Sequence, residues 1–204
     1  KKVPKDVRLF HERKVLFIHI PKTAGVSVYR GLFDVDSSGH YNFTRYQKWF
    51  SRHQLRKFYK FTFVRNPYTR LLSAYHYIKE GGRGHTNDLE YQNSVSKIRG
   101  FEAFVLDWLD ESTMEQIPHF RKQSSYLYDE KREIKLDYIG KLENIDHDYQ
   151  IVRGQVKGSK NLPRKNINPN QTHKNEQQKF SPQMLKKING LYNEDFTNFG
   201  YQMK

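Results

Sequence analysis

Short apolar runs alternate with longer amphipathic segments along this chain, which is the pattern of a parallel α/β protein. Residues 14–20 (KVLFIHI), 60–65 (KFTFVR) and 136–140 (LDYIG) predict buried strands. Helices are predicted directly after the first two strands, over 25–33 and 67–79. We therefore expect an α/β fold in which a parallel β-sheet is flanked by helices.

The remaining segments divide into predicted helices and predicted loops. Helices are expected over 42–59, 101–109, 144–156 and 182–192. The glycine-bearing polar stretch near 80–97 predicts a mobile loop, and the Asn- and Lys-rich stretch near 157–176 predicts a polar loop. Because there is no internal repeat and no long linker, residues 1–204 are expected to form a single domain.

The first predicted strand runs into a turn with the residues of an anion cradle. Ligands of parallel sheets gather at the carboxyl ends of strands, where the N-terminus of the next helix favours negative charge. A proline ends the strand, a lysine supplies charge, two hydroxyls can donate, and a glycine lets the backbone close on a ligand. These residues are Pro21, Lys22, Thr23, Ala24, Gly25, Val26 and Ser27. The lysine precedes the glycine, so this is not the usual nucleotide-binding loop.

A second anion-binding pattern follows the second predicted strand. Arg65 falls at the end of that strand, and Asn66-Pro67 predicts the start of a helix. Ser73 lies two turns into the helix, away from its apolar stripe. That stripe consists of Leu71, Ala74, Tyr75 and Ile78. Arg65 and Ser73 are therefore expected to converge on one phosphate, with the arginine as a forked donor.

The net charge and the composition favour an anionic partner but do not identify which kind. The chain of 204 residues has a formal net charge of +14, which favours an anionic partner such as nucleotide phosphates, a glycan, nucleic acid or a membrane surface. It contains no cysteine, which excludes disulfides, thiolate zinc sites and cysteine nucleophiles. No apolar run approaches the ~20 residues of a membrane span, so no membrane segment is expected in this chain.

The two anion-binding patterns together resemble the signatures of a known enzyme family. "IPKTAGVS" followed by "FVRNPYTRLLSAYHY" is similar to the two cofactor signatures of sulfotransferases that use 3′-phosphoadenosine 5′-phosphosulfate (PAPS). The likeness is greatest to the carbohydrate group, which includes heparan and chondroitin/dermatan sulfotransferases and bacterial relatives. The signatures lie at 18–27 and 61–77, and the spacing from Arg65 to Ser73 matches. Further similar segments are "HFRKQSSYL" (119–127), "DYIGKLENIDHDY" (137–149) and "FTNFGY" (196–201).

This resemblance implies a P-loop-NTPase-like sulfotransferase fold and a role for each signature. Residues 21–27 would wrap the 5′-phosphosulfate of PAPS, with Thr23 and Ser27 adding hydroxyls. Lys22 would also stabilise charge on the leaving phosphate oxygen. Arg65 and Ser73 would hold the 3′-phosphate. The implied reaction is direct in-line transfer of the sulfuryl group to an acceptor hydroxyl, leaving 3′-phosphoadenosine 5′-phosphate (PAP), with no metal expected.

A general base is needed because the acceptor hydroxyl has a high pKa. The family uses histidine or glutamate for this role. His40 is favoured, since the related glycan enzymes keep a catalytic histidine ahead of the "VRNP"-type strand and a Gly-His turn can aim an imidazole into the cleft. His19, inside the first strand, is expected to be a packed or sheet-end residue. The alternatives that remain open are His53, His119, His85 and Glu143.

The acceptor, the competing functions and the compartment are less constrained. The basic excess favours an anionic or polyhydroxylated glycan, with Tyr41, Trp49 and Tyr126 as residues that can stack on sugars.

The alternative functions are a P-loop-like nucleotide or sugar kinase, which would need ATP and magnesium, and a basic nucleic-acid-binding module. A nucleic-acid-binding module would leave the two signatures unexplained, so no nucleic-acid partner is expected. A bacterial cytoplasmic location is favoured, with the lumenal domain of an anchored Golgi enzyme as the alternative.

Overall fold

The computed structural model describes residues 4–36, 39–163 and 179–204. The strands are β1 (Val15–Ile18), β2 (Tyr59–Val64) and β3 (Tyr138–Lys141). The first eight helices are α1 (Lys5–Arg13), α2 (Gly25–Phe33), α3 (Phe43–Tyr46), α4 (Arg52–Lys57), α5 (Pro67–Lys79), α6 (Thr86–Val95), α7 (Gly100–Ala103) and α8 (Glu111–Gln116). The later helices are α9 (Ser124–Leu127), α10 (Ile145–Gln155), α11 (Pro182–Leu191) and α12 (Asn193–Phe199).

The described residues form two compact units. The first contains the described residues up to Arg65 together with 123–163, and it holds all three strands. The second contains 66–122 and 179–204, and it is helical.

The sheet of the first unit is parallel throughout the part of the chain that the structure describes. Its order is β1–β2–β3, with Ile18 paired to Thr62 and Val64 paired to Lys141. Strand β1 is buried along its whole length, as expected where a parallel sheet is covered by helices. The predicted α/β class with a parallel sheet is therefore confirmed.

Aromatic side chains hold helix α2 against the sheet. The ring of Phe17 lies 4.9 Å from that of Phe61 on the neighbouring strand and 5.1 Å from that of Tyr29 on α2, measured between centroids. Helix α1 adds Phe10, whose ring lies 5.3 Å from that of Phe33. Because α2 begins at the turn that follows β1, this packing fixes the position of its N-terminus at the sheet edge.

The second unit is organised around helix α5, which is buried on more than one face. The predicted stripe is buried, but Arg70 and Ser73 are also buried, at 0% and 7% exposure. The Arg70 guanidinium donates hydrogen bonds to the carbonyl oxygens of His119 and Arg121. Ser73 lies on the opposite side of the helix from the apolar stripe, as expected. It is nevertheless buried, because that side of α5 is also covered.

Two predicted elements differ from the structure for local reasons. Residues 42–59 were expected to be helical, but α3 ends at Tyr46 and a new helix begins at Arg52. Ser51 forms a capping box with Gln54, which provides a strong start signal for α4. The helix predicted over 101–109 is a short α7 followed by a π-helical turn over Phe104–Trp108.

The loop predicted near 80–97 is wrong for most of its length. Thr86–Val95 form helix α6. Asp88 on this helix is buried and accepts hydrogen bonds from the Tyr77 hydroxyl at 3.1 Å and the Arg83 backbone N–H at 2.9 Å. Asp88 is one of the polar residues that led to the loop prediction. These hydrogen bonds allow it to be buried within a helix. Of the polar loop predicted near 157–176, residues 164–176 lie outside the described residues.

Among the described residues, no helix has the length and apolar character needed to cross a membrane. The compartment stays a prediction.

Candidate functional site

The two predicted anion-binding turns follow neighbouring strands of one sheet. Strands β1 and β2 are parallel, so their carboxyl ends lie at the same edge. The Thr62 hydroxyl donates to the Ile18 carbonyl oxygen at 2.8 Å, which ties the two strands together near that edge. The turn over 21–24 follows β1, and Arg65 follows β2 directly.

The backbone of the first turn takes an uncommon conformation. Lys22 has φ 69° and Ala24 has φ 61°, both in the left-handed region that non-glycine residues seldom adopt. Such residues concentrate at ligand-binding sites. Ala24, the residue before α2, makes no side-chain capping hydrogen bond, and the first-turn N–H groups of the helix suit an anionic oxygen. Lys22 is half-buried beside them.

Thr23 stabilises the turn from inside. It is fully buried, and its hydroxyl donates to the Ile20 carbonyl oxygen at 2.9 Å. Its hydroxyl proton is therefore engaged within the turn. Pro21 is also buried, whereas Val26 and Ser27 are half-buried in the first turn of α2. Contact between each of these residues and a donor stays a prediction.

Gly25 is required by a side chain of the protein itself. A Cβ atom on Gly25 would lie 1.9 Å from Cδ2 and 2.0 Å from Nε2 of His19. Both distances are far below van der Waals contact. The glycine was expected to let the backbone close on a ligand. The structure adds a different reason, because the imidazole of His19 occupies the space that any larger residue would need.

His40 lies against His19 at the carboxyl end of β1. The two imidazole centroids are 4.2 Å apart, and Nδ1 of His40 is 3.1 Å from the carbonyl oxygen of His19. A carbonyl oxygen can only accept, so Nδ1 of His40 carries the proton and Nε2 carries the lone pair of the neutral ring. This is the tautomer in which Nε2 can act as a base.

The alternative bases lie in different surroundings. His53 on α4 and His85 before α6 are exposed, as is Glu143. His119 is buried at 8% exposure in the second unit, with its ring 4.9 Å from that of Tyr77. His40 is the candidate whose imidazole contacts the end of β1, through Nδ1 and the His19 carbonyl oxygen.

A buried aromatic and acidic cluster supports His19. Its ring lies 5.8 Å from that of Phe17 and 5.5 Å from that of Tyr29. The Tyr29 hydroxyl donates to Oδ2 of Asp6 at 3.0 Å. Burial raises the pKa of Tyr29 well above its ordinary value, with further contributions from Tyr46 and Asp6. Tyr29 thus stays protonated and acts as a donor, which excludes it as a general base.

The backbone of Arg65 is held by one buried side chain. Oε1 of Gln123 accepts from the Arg65 N–H at 2.9 Å, and Nε2 of Gln123 donates to the Arg65 carbonyl oxygen at 2.8 Å. Gln123 is 0% exposed, whereas Arg65 is half-buried. Ser73 lies on α5 in the second unit, and its convergence with Arg65 on one phosphate stays a prediction.

Sequence reasoning missed the role of Gln123. His19 was expected to be a packed or sheet-end residue, and this is confirmed, since it is buried and directly follows β1. Gln123 lies 58 residues from Arg65, and no local pattern connects them. The described residues contain no group of three or more His, Cys, Asp or Glu side chains that could hold a metal ion.

With this geometry in view, the comparisons with known proteins give the family. The model of the sulfotransferase family matches residues 5–202. Because the match covers nearly the whole chain, the chain belongs to the sulfotransferase family, whose members transfer sulfuryl groups from PAPS. Neither the search of curated proteins nor the search of solved structures gave a match.

The structural features of the first turn fit such a donor. A helix N-terminus that Ala24 does not cap with its side chain, a half-buried lysine and two left-handed residues suit the phosphosulfate group of PAPS. The extent of the single domain, expected over 1–204, stays a prediction.

Proposed function

We propose that this protein transfers the sulfuryl group of PAPS to a hydroxyl of a carbohydrate, with His40 as the general base. One observation carries the proposal. His40 donates from Nδ1 to the carbonyl oxygen of His19, at the end of the strand that leads into the Lys22 turn. A base with its lone pair on Nε2 and a phosphosulfate-binding turn therefore adjoin the same strand end.

The donor is proposed to bind along the edge of the sheet. Residues 21–27 hold the 5′-phosphosulfate through the start of α2 and through Lys22. Arg65 holds the 3′-phosphate with its guanidinium, which can donate two hydrogen bonds to one phosphate. The second signature supports Ser73 as the partner of Arg65 on that phosphate.

The reaction is a single in-line displacement. Nε2 of His40 takes the proton of the acceptor hydroxyl while the acceptor oxygen bonds to sulfur. The bond between sulfur and the 5′-phosphate oxygen breaks, and its electron pair stays on that oxygen. Lys22 stabilises the resulting negative charge. These residues contribute positioning and electrostatic stabilisation, and the mechanism uses no metal.

Aromatic rings beside His40 support a carbohydrate acceptor. Tyr41 follows His40 in the chain, and its ring lies 4.9 Å from that of Trp49 at an interplanar angle of 89°. The guanidinium of Arg45 lies 5.1 Å from the Trp49 ring. All three side chains are partly exposed. Partly exposed rings beside a cation can pack on sugar faces and attract anionic groups.

Tyr126, the third aromatic residue expected to contact sugars, does not support this role. It is only 2% exposed and belongs to the core of the first unit. The expectation for Tyr126 was therefore wrong, because its ring is needed for packing.

A transfer assay with labelled PAPS tests the proposal. Anionic glycans, neutral oligosaccharides and small phenols are offered as acceptors, without magnesium. We expect transfer to a glycan, and Trp49→Ala should raise KM for that glycan while Trp49→Phe retains most of the affinity. Transfer only to phenols, or phosphoryl transfer from ATP with magnesium, would contradict the proposal. Transfer to a glycan without any effect of Trp49→Ala would keep the reaction but reject the acceptor surface.

A further inference from the structure

The segment "HFRKQSSYL" contains a buried residue with no role in the steps described above. Gln123 is 0% exposed and lies immediately before helix α9. Buried polar side chains need hydrogen-bond partners. The Gln123 amide forms two such hydrogen bonds with the backbone of one residue, Arg65.

The amide has only one orientation that satisfies both contacts. The Arg65 N–H needs an acceptor, which only Oε1 can provide, and the Arg65 carbonyl oxygen needs a donor, which only Nε2 can provide. The distances of 2.9 Å and 2.8 Å are those of well-formed hydrogen bonds. Gln123 thus pairs with Arg65 as a neighbouring strand would.

This pairing occurs where the sheet itself stops. The register of β2 with β3 ends at the pair Val64 and Lys141. Arg65 is the next residue, and the chain enters the turn at Asn66 before α5. A strand end of this kind can fray because its backbone groups lie beyond the ladder. The Gln123 amide extends the hydrogen bonding of the strand by one residue.

We propose that Gln123 is a positioning residue that fixes the backbone of Arg65 so that its guanidinium is preorganised for the 3′-phosphate of the donor. This inference rests on the proposed function, in which Arg65 binds that phosphate. Fixing the Cα–Cβ direction reduces the freedom that a long side chain loses on binding. Gln123 acts through Arg65 and does not touch the donor.

The experiment compares two nucleotides that differ in the 3′-phosphate. PAP carries it, and adenosine 5′-phosphate does not. Dissociation constants for both are measured by titration, and their ratio reports the contribution of the 3′-phosphate. We expect Arg65→Ala to reduce the preference for PAP to near one. Gln123→Leu should weaken PAP binding about tenfold, the effect of losing roughly 1.4 kcal/mol, and leave adenosine 5′-phosphate almost unchanged.

Two further variants keep the test informative. Gln123→Glu retains the acceptor for the Arg65 N–H and loses the donor for its carbonyl oxygen, so it should fold and lose part of the preference. Asp129→Asn disrupts a turn of the same unit in which Asp129 accepts hydrogen bonds from Lys131, Glu133 and Lys135, and it should leave the preference unchanged. An equal weakening of both nucleotides by the Gln123 variants would indicate a merely structural role.

The outcomes separate this inference from the proposed function. If Arg65→Ala leaves the preference for PAP intact, the assignment of Arg65 to the 3′-phosphate is wrong. If Arg65→Ala abolishes the preference while Gln123→Leu and Gln123→Glu retain it in full, only the role of Gln123 is rejected. In an Arg65→Ala background, adding Gln123→Leu should change the preference no further.

Discussion

Nδ1 of His40 lies 3.1 Å from the backbone carbonyl oxygen of His19. This contact fixes the tautomer of His40, since the carbonyl group can only accept. The neutral imidazole is thereby left with its lone pair on Nε2. A backbone carbonyl at the end of a buried strand is a rigid partner, so the orientation of the ring is tied to the sheet.

His40→Ala should separate binding from turnover. We expect the variant to retain affinity for PAP and to lose about 10²–10⁴ in kcat, the usual contribution of a general base. The exposed residue His53 offers a matched control, and His53→Ala should keep the turnover of the wild type. Steady-state kinetics and a PAP titration on both variants check this. Unchanged turnover in His40→Ala would remove His40 from the mechanism.

Lys22 can be replaced in two ways that differ only in backbone strain. Lys22 has φ 69°, which glycine adopts freely and alanine does not. Lys22→Gly and Lys22→Ala both remove the ammonium group, so both should lose about 10²–10³ in kcat, as when one stabilising donor is removed. Circular dichroism should show the glycine variant to be folded. Recovery of activity in Lys22→Gly alone would mean that turn geometry, and not charge, is what Lys22 supplies.

Gly25→Ala tests the packing of His19 against the first turn. The new Cβ would lie 1.9 Å from His19 Cδ2, so the ring or the turn must move. We expect a loss of about 1–3 kcal/mol in the free energy of unfolding, as for other overpacked sites, together with weaker PAP binding. In a His19→Ala background, adding Gly25→Ala should cost little further stability, because the ring that it would meet is gone.

A glycine without close neighbours serves as the control for that experiment. Gly154 lies within α10, and a Cβ there would meet nothing within 4 Å. Gly154→Ala should therefore stabilise the protein by about 0.5–1 kcal/mol through its effect on the backbone. Denaturant unfolding measures all of these variants, and a Gly25→Ala protein as stable as Gly154→Ala would refute the described packing.

Ionised Asp129 should stabilise the folded protein, and this contribution should be lost at acid pH. A hydrogen bond from the Lys135 ammonium, with others from the backbone N–H groups of Glu133 and Lys131, lowers the pKa of Asp129 to about 2. An unfolded aspartate has a pKa of about 3.9. The stabilisation is thus complete above about pH 4 and is lost as the pH falls through the folded pKa.

Asp129→Asn removes this dependence. The difference in unfolding free energy between wild type and variant should be largest above pH 4 and shrink towards pH 2, since protonation of Asp129 makes the two alike. Urea unfolding at several pH values between these limits measures it. A difference that does not vary with pH would contradict the assigned ion pair.

The sequence predicts the elements that have strong local signals. Helix α2 begins at Gly25 and ends at Phe33 as predicted, because Pro21 ends the preceding strand and the apolar pattern is clear. Helix α5 has Pro67 at its first position and Asn66 as a cap that accepts from the Tyr68 N–H. In both cases the signals lie within a few residues of the element they determine.

Long-range contacts explain what the sequence does not predict. Helix α6 was missed because its sequence is polar. Its buried residue Asp88 is satisfied by a hydrogen bond from Tyr77, which is distant in the sequence. The link between Gln123 and Arg65 spans 58 residues and leaves no periodic trace. The ring of His19 against Gly25 depends on how β1 enters the turn, which only the folded chain defines.

A titration with PAP in the presence of EDTA tests the central claim most directly. If the turn at Lys22 and the end of β2 at Arg65 hold two ends of one donor, wild type should bind one nucleotide per chain without metal. Lys22→Gly and Arg65→Ala should each weaken that binding, and only Arg65→Ala should abolish the advantage of PAP over adenosine 5′-phosphate. No binding of PAP by the folded wild type, or binding that neither substitution weakens, would contradict the account.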